Sequence, residues 1–298
     1  MGLLKTRKVE KSYDLFSRFS HYNPGFGGML AFLLLALAGA LLGNGLMALL
    51  GLILPPETLA PYATFITYPL MFIPPMLYAS TKSMLHELDV ESNPLDRKIS
   101  SKGGFWILAL PVSVATLALA FMVEPVNTLL PEMPAEIKAM MKGLMDGPIL
   151  TTLISVALFA PFFEEWLCRG MVLRGLLTRM RPSMAIAISA LFFAVLHMNP
   201  WQALPAFIIG LLLGWVYYRT GSLKLTMLMH CVNNTVSLLL SKVDAFKAAD
   251  TFMDVFSPAL YWSIFVACLL LLAASLLFLN KKAVSPEETL PELNNTTD

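Results

Sequence analysis

The chain has 298 residues, of which 57% are hydrophobic and 14% charged, with a net charge of +1. Soluble proteins run at roughly 45–50% apolar and roughly 25% charged, so a water-exposed fold of this length could not hide this much apolar surface. The near-neutral balance offers no basic face for nucleic acid, and Cys168, Cys231 and Cys268 form neither a disulfide framework nor a zinc-finger spacing.

The start, MGLLKT, formally matches a myristoylation motif, a short pattern that arises readily by chance. The polar stretch SYDLFSRFSHYN separates the basic start from the first apolar run, which is not the layout of a cleavable signal peptide. Apolar runs near or above the ~20 residues that cross a bilayer then recur. They predict spans near 28–53, 62–80, 105–123, 148–166, 183–198, 201–218, 223–241 and 258–279. The second run contains Pro69, Pro74 and Pro75, and the fifth is short. Between the third and fourth, PVNTLLPEMPAEIKAMMKGLMDG is Pro-rich and partly amphipathic, and is expected to lie along the membrane interface.

The expected fold class is therefore all-α: a polytopic membrane protein of about eight transmembrane helices in one bundle. Residues 1–25 are expected to form a cytoplasmic N-terminal segment and 26–280 the helical domain, with 281–298 a disordered polar tail. With eight spans and the N-terminus inside, all but four of the 21 basic residues (Lys138, Lys142, Lys242 and Lys247) fall inside, which predicts both termini in the cytoplasm. The expected location is a cell membrane, with a bacterial inner membrane favoured by the compact chain.

Ionisable residues inside a membrane are functional-site candidates, because burying charge there costs a few kcal/mol at least. Glu164 and Glu165 are the acids that lie well inside the apolar pattern, in PFFEEWLCRG, and His197 and His230 are the histidines in apolar runs. Glu165 and Arg169 are i,i+4 and share a helix face, so they are expected to pair. Glu164 is turned about 100° away and is left for another role, unless it snorkels at a helix end.

Arg174, Arg179, Arg181 and Pro182 mark a basic turn, expected on the cytoplasmic side, about which the chain folds back on itself. Glu164 lies 17 residues before Arg181 and His197 lies 16 after it, so in two antiparallel helices both stand at nearly the same depth. At α-helical rise that depth is about 24–26 Å from the turn. Phe193 walls the same face as His197. His230 and Asn234, again i,i+4, are suited to donate to an oxyanion in a dry cavity, or else serve as interhelical polar glue. Asn44 and Asn233 are read as glue.

EEWLCR (164–169), FAVLH (193–197) and HCVNN (230–234) have the forms EExxxR, FxxxH and HxxxN. Together and in this order on a multispan chain they resemble the CPBP family, intramembrane proteases named for CAAX proteases and bacteriocin-processing enzymes, also called Abi. The resemblance covers roughly residues 148–242, the motif core of the domain. It implies an intramembrane endopeptidase of the CAAX prenyl protease type, hydrolysing a peptide bond in a protein or peptide substrate that in some members is prenylated. Glu164 matches the family's essential glutamate and His197 its partner in activating water. His230 and Asn234 match the pair assigned to transition-state stabilisation, and Glu165 and Arg169 the structural ion pair. The family is often called metallo, and Glu164, His197 and His230 could supply three ligands to zinc or another divalent ion. Against this, there is no HExxH pair on one helix, and the metal question stays open on sequence. The rival readings are a proton-coupled transporter, to which buried Glu, His and Asn are equally suited, and a catalytically idle immunity or scaffold protein.

Overall fold

The computed structural model of the protein describes residues 15–97, 99, 104–145, 147–247, 249 and 251–282. The MGLLKT start and the polar tail from residue 283 lie outside the described residues. Among those described the chain is helical, with no strand. Each predicted run is a helix: α1 (Phe26–Leu50), α2 (Ala63–Leu85), α3 (Gly104–Val123), α4 (Ile149–Leu177), α5 (Pro182–Leu196), α6 (Pro200–Thr220), α7 (Leu223–Leu240) and α8 (Pro258–Lys282).

Five of these, α1, α3, α4, α6 and α8, are long and apolar enough to cross a membrane by length and composition. The expected count of eight crossings is thus not confirmed, and each shortfall has a physical cause. α5 has 15 residues, below the ~17–25 that the hydrocarbon thickness requires. α2 has three internal prolines, and α7 carries Lys224, His230, Asn233 and Asn234, which dilute its apolar run. On α1 and α8 the exposed side chains are largely apolar (Leu34, Leu41, Leu270 and Leu277 among them), as a lipid-facing surface requires. The Pro-rich segment before α4 contains the amphipathic helix Ala135–Met145.

α4 occupies the centre. It packs against α2, α5, α6 and α7, and every residue from Glu165 to Leu177 is buried. Around it α1 pairs with α2, α5 with α6, and α8 with α3. The α6–α7 turn places Gly221 at φ 64°, a left-handed position suited to glycine, and Ser222 caps α7 by accepting from the Leu225 N–H.

Arg174 is a correction to the sequence reading, which placed it in a basic cytoplasmic turn. It is buried within α4, with a carbonyl cage around its guanidinium. It donates to the carbonyls of Gly170, Phe19, Ser20, Tyr22 and Asn93. The cage ties both the segment before α1 and the loop after α2 to the central helix. Phe19 follows that tie inward and packs edge-on against Trp166, ring centroids 5.2 Å apart.

The α1–α2 pair rests on a local defect. Pro74 and Pro75 have no N–H, so the carbonyls of Leu70 and Met71, four residues earlier, lose their helical donors. Gly39 of α1 comes up against those same carbonyls: a Cβ there would stand 2.7 Å from the Leu70 oxygen and 2.5 Å from that of Met71. Gly39→Ala should therefore lower thermal stability in detergent, by about 1–3 kcal/mol as an overpacked contact. Gly45, with nothing within 4 Å of its would-be Cβ, is the control. Gly45→Ala should be neutral or gain up to about 1 kcal/mol from helix propensity.

Candidate active site

The paired acids lie where α4 changes its winding. The helix is π-wound over Ile154–Phe159 and over Trp166–Leu173, with six α-helical residues, Ala160–Glu165, between. Such i→i+5 stretches are rare and concentrate at functional sites. They also pack more residues into each turn, so Glu164 stands closer to the turn after Leu177 than the α-helical rise implies. The i,i+4 contact of Glu165 with Arg169 persists through this change.

Glu165 is wholly enclosed. Arg169 Nη1 donates to its Oε1 at 2.7 Å, and His230 Nδ1 lies 3.0 Å from the same oxygen. A carboxylate held by a guanidinium can only accept, so Nδ1 of His230 carries a hydrogen. Arg169 also donates to the Gly210 carbonyl at 3.1 Å, and its guanidinium sits 4.6 Å above the centre of the Phe193 ring. The expected ion pair is therefore present as a contact, and it extends to His230 on α7, which the sequence reading had assigned elsewhere.

Glu164 shares His230 with Glu165 but meets Tyr68 where Glu165 meets Arg169. Tyr68 of α2 donates its hydroxyl to Glu164 Oε1. Oε2 is buried with no hydrogen-bond partner among the described residues, 3.8 Å from His230 Nε2. The structure thus brings Glu164, Glu165 and His230 together.

His197 and Asn234 stand at the margin of this cluster. His197 ends α5, and its Nδ1 donates to the Phe193 carbonyl at 3.0 Å, which leaves Nε2 as the acceptor. It meets the cluster through the Phe193 ring, whose centre is 5.0 Å from that of His197 and 5.5 Å from that of His230. Among the described residues no hydrogen bond or ion pair joins His197 directly to Glu164, and the Phe193 ring lies against both histidines. Asn234 Nδ2 donates to the Val156 carbonyl, in the first π stretch, at 2.8 Å, and its Oδ1 accepts from Asn233. Its contact in this arrangement is the interhelical one.

A metal ion needs three or more side-chain ligands converging on one point, at about 2 Å for zinc. Among the described residues no group of three His, Cys, Asp or Glu side chains is so arranged. His230 has both ring nitrogens against the two acids and no three of these side chains converge, so as arranged the ligand set Glu164, His197 and His230 does not fit, and the metalloprotease expectation is not supported.

Sequence reasoning missed Tyr68. It lies in the first 147 residues, where hydropathy alone guided the reading. The available signal was a tyrosine inside an apolar run, since a buried phenol usually finds an acceptor.

Comparison with known proteins bears on this geometry. Residues 146–236 match a family model described as Rce1-like, type II CAAX prenyl endopeptidase Rce1-like. The stretch holds Glu164, Glu165, Arg169, His197, His230 and Asn234, and Tyr68 falls outside it. No curated protein and no solved structure matches the chain. Over residues 146–236, then, the chain is similar to the type II CAAX prenyl endopeptidases, in agreement with the CPBP resemblance of its three motifs.

Proposed function

We propose that this chain is an intramembrane endopeptidase of the CAAX prenyl type, with Glu164 as the base that activates water. The observation that carries the reading is the contrast between the two adjacent acids. Each keeps one buried oxygen without a hydrogen-bond partner among the described residues, but the other oxygen of Glu165 is held by the Arg169 cation, whereas that of Glu164 is held by the uncharged Tyr68 hydroxyl and its Oε2 lies 3.8 Å from His230 Nε2. A carboxylate so placed is suited to take a proton, and the family match over the same residues names the reaction class.

In this scheme Glu164 Oε2 removes a proton from water as the water oxygen attacks the scissile carbonyl. His197, through the Nε2 lone pair that its Nδ1 bond leaves, holds the second water hydrogen. The tetrahedral oxyanion is met by His230 and by the second amide N–H of Asn234, the first being given to Val156. Because Nδ1–H of His230 is committed to Glu165, His230 donates through Nε2–H in its doubly protonated form, with Glu164 and then the developing oxyanion as its counter-charge. Glu164 then returns its proton to the departing nitrogen, the C–N bond breaks, and the second water proton passes from the new carboxylic acid to the amine, so that a carboxylate and an ammonium leave. Exclusion of bulk water makes each of these dipoles count for more.

The substrate is a membrane-associated protein or peptide, and its prenylated CAAX end is the class suggested by the family description. With Arg169 and Arg174 set aside as buried in α4, the surplus of basic residues in the segments expected inside still supports cytoplasmic termini.

Two expected outcomes separate the roles of the acids. Glu164→Gln keeps the shape and the Tyr68 contact but cannot take a proton. Cleavage of a fluorogenic prenylated peptide in detergent should fall about 10²–10⁴-fold with melting unchanged. Glu165→Gln instead leaves Arg169 as an uncompensated buried cation and should lower the melting temperature, at a cost of about 3–5 kcal/mol. Wild-type turnover in folded Glu164→Gln would sink the proposal.

A further inference from the structure

We infer that Tyr68 is a positioning residue for Glu164, contributed by a helix that the family match does not reach. The inference rests on the peptidase reading and deepens it.

Tyr68 donates its hydroxyl to Glu164 Oε1, joining residues 96 apart in sequence. A carboxylate on a helix rotates about its terminal bond with little resistance. Fastening one oxygen determines where the other points, and here Oε2 is the oxygen left beside His230 Nε2.

The phenol is itself held. Its ring packs against Phe72, one helical turn along α2, with centroids 5.6 Å apart. Phe72 in turn stacks on Phe163 at 5.1 Å and an interplanar angle of 11°. Phe163 immediately precedes Glu164, so the aromatic stack and the hydrogen bond, both from α2, fasten the same stretch of α4 at two adjacent residues. Elements outside residues 146–236 thereby enter the chemistry without touching the reacting atoms.

The plainer account is that a buried phenol needs an acceptor and finds Glu164. The two accounts differ in what Tyr68→Phe should do. The variant keeps the ring and its stacking, and removes the donor alone. If Tyr68 positions the base, kcat falls about 10- to 100-fold, the equivalent of a lost hydrogen bond to a charged group, while KM and detergent melting stay at wild-type values. If its role is structural, melting falls and kcat holds, and the inference is overturned.

A second reading is independent of turnover. Infrared difference spectra of wild type against Tyr68→Phe should show a shifted carboxylate stretch, and the same comparison in a Glu164→Gln background should not. Absence of that shift overturns the inference whether or not the protein cleaves peptides. A shift in a protein that cleaves no peptide leaves the Tyr68–Glu164 contact standing and removes the peptidase reading instead. Wild-type kcat in Tyr68→Phe, with cleavage intact in the parent, removes the inference alone.

Discussion

Glu165 is enclosed among apolar helices, and one of its oxygens takes hydrogen bonds from both Arg169 and His230. No water is at hand in a membrane interior to offset an isolated charge, so each member of this trio is tolerable because the others are present. The constraint propagates. It holds α7 against α4, it orients His230 so that Nε2 faces Glu164, and through Arg169 it ties α4 to the Gly210 carbonyl of α6. Phe193 closes the arrangement under the guanidinium and touches both histidine rings. The neighbouring acid is thereby spared a structural duty.

The same economy governs the rest of α4. Arg174 has no carboxylate, and five backbone carbonyls from three parts of the chain take its place. These are carbonyls of irregular segments and of α4 itself, and those of Phe19 and Ser20 accept in addition from the Tyr22 and Asn93 N–H groups. One buried cation thus satisfies backbone groups and anchors the segment before α1 to the helix that carries the acids. α2 approaches from the other side, its proline-freed carbonyls packed against Gly39 and its Tyr68 against Glu164.

The helices were legible in the sequence because hydropathy is a local property, and each run written from it overlaps one of α1 to α8, although α4 continues past its run to Leu177. The Glu165–Arg169 contact was legible for the same reason, since i,i+4 spacing needs no tertiary knowledge. The π winding of α4 was not, because residues such as Val156 and Cys168 carry no local mark of i→i+5 bonding. That winding altered the depth argument for Glu164 and His197. The attachment of His230 to Glu165, rather than to an oxyanion site alone, depends on how α7 packs on α4. Tyr68 and the burial of Arg174 depend on contacts 81 or more residues distant, which a reading along the chain does not supply.

The central claim is that the two adjacent acids divide the work: Glu165 is structural and replaceable along with its partner, and Glu164 is the base. The most direct measurement is peptide hydrolysis by the double variant Glu165→Gln/Arg169→Met. Removing both charges together leaves no uncompensated ion, and the Gln oxygen can still accept from His230. The account predicts a folded protein that cleaves the prenylated peptide at a rate comparable to wild type, with the activity lost on adding Glu164→Gln. A folded double variant without activity would contradict it, as would a triple variant that still cleaves.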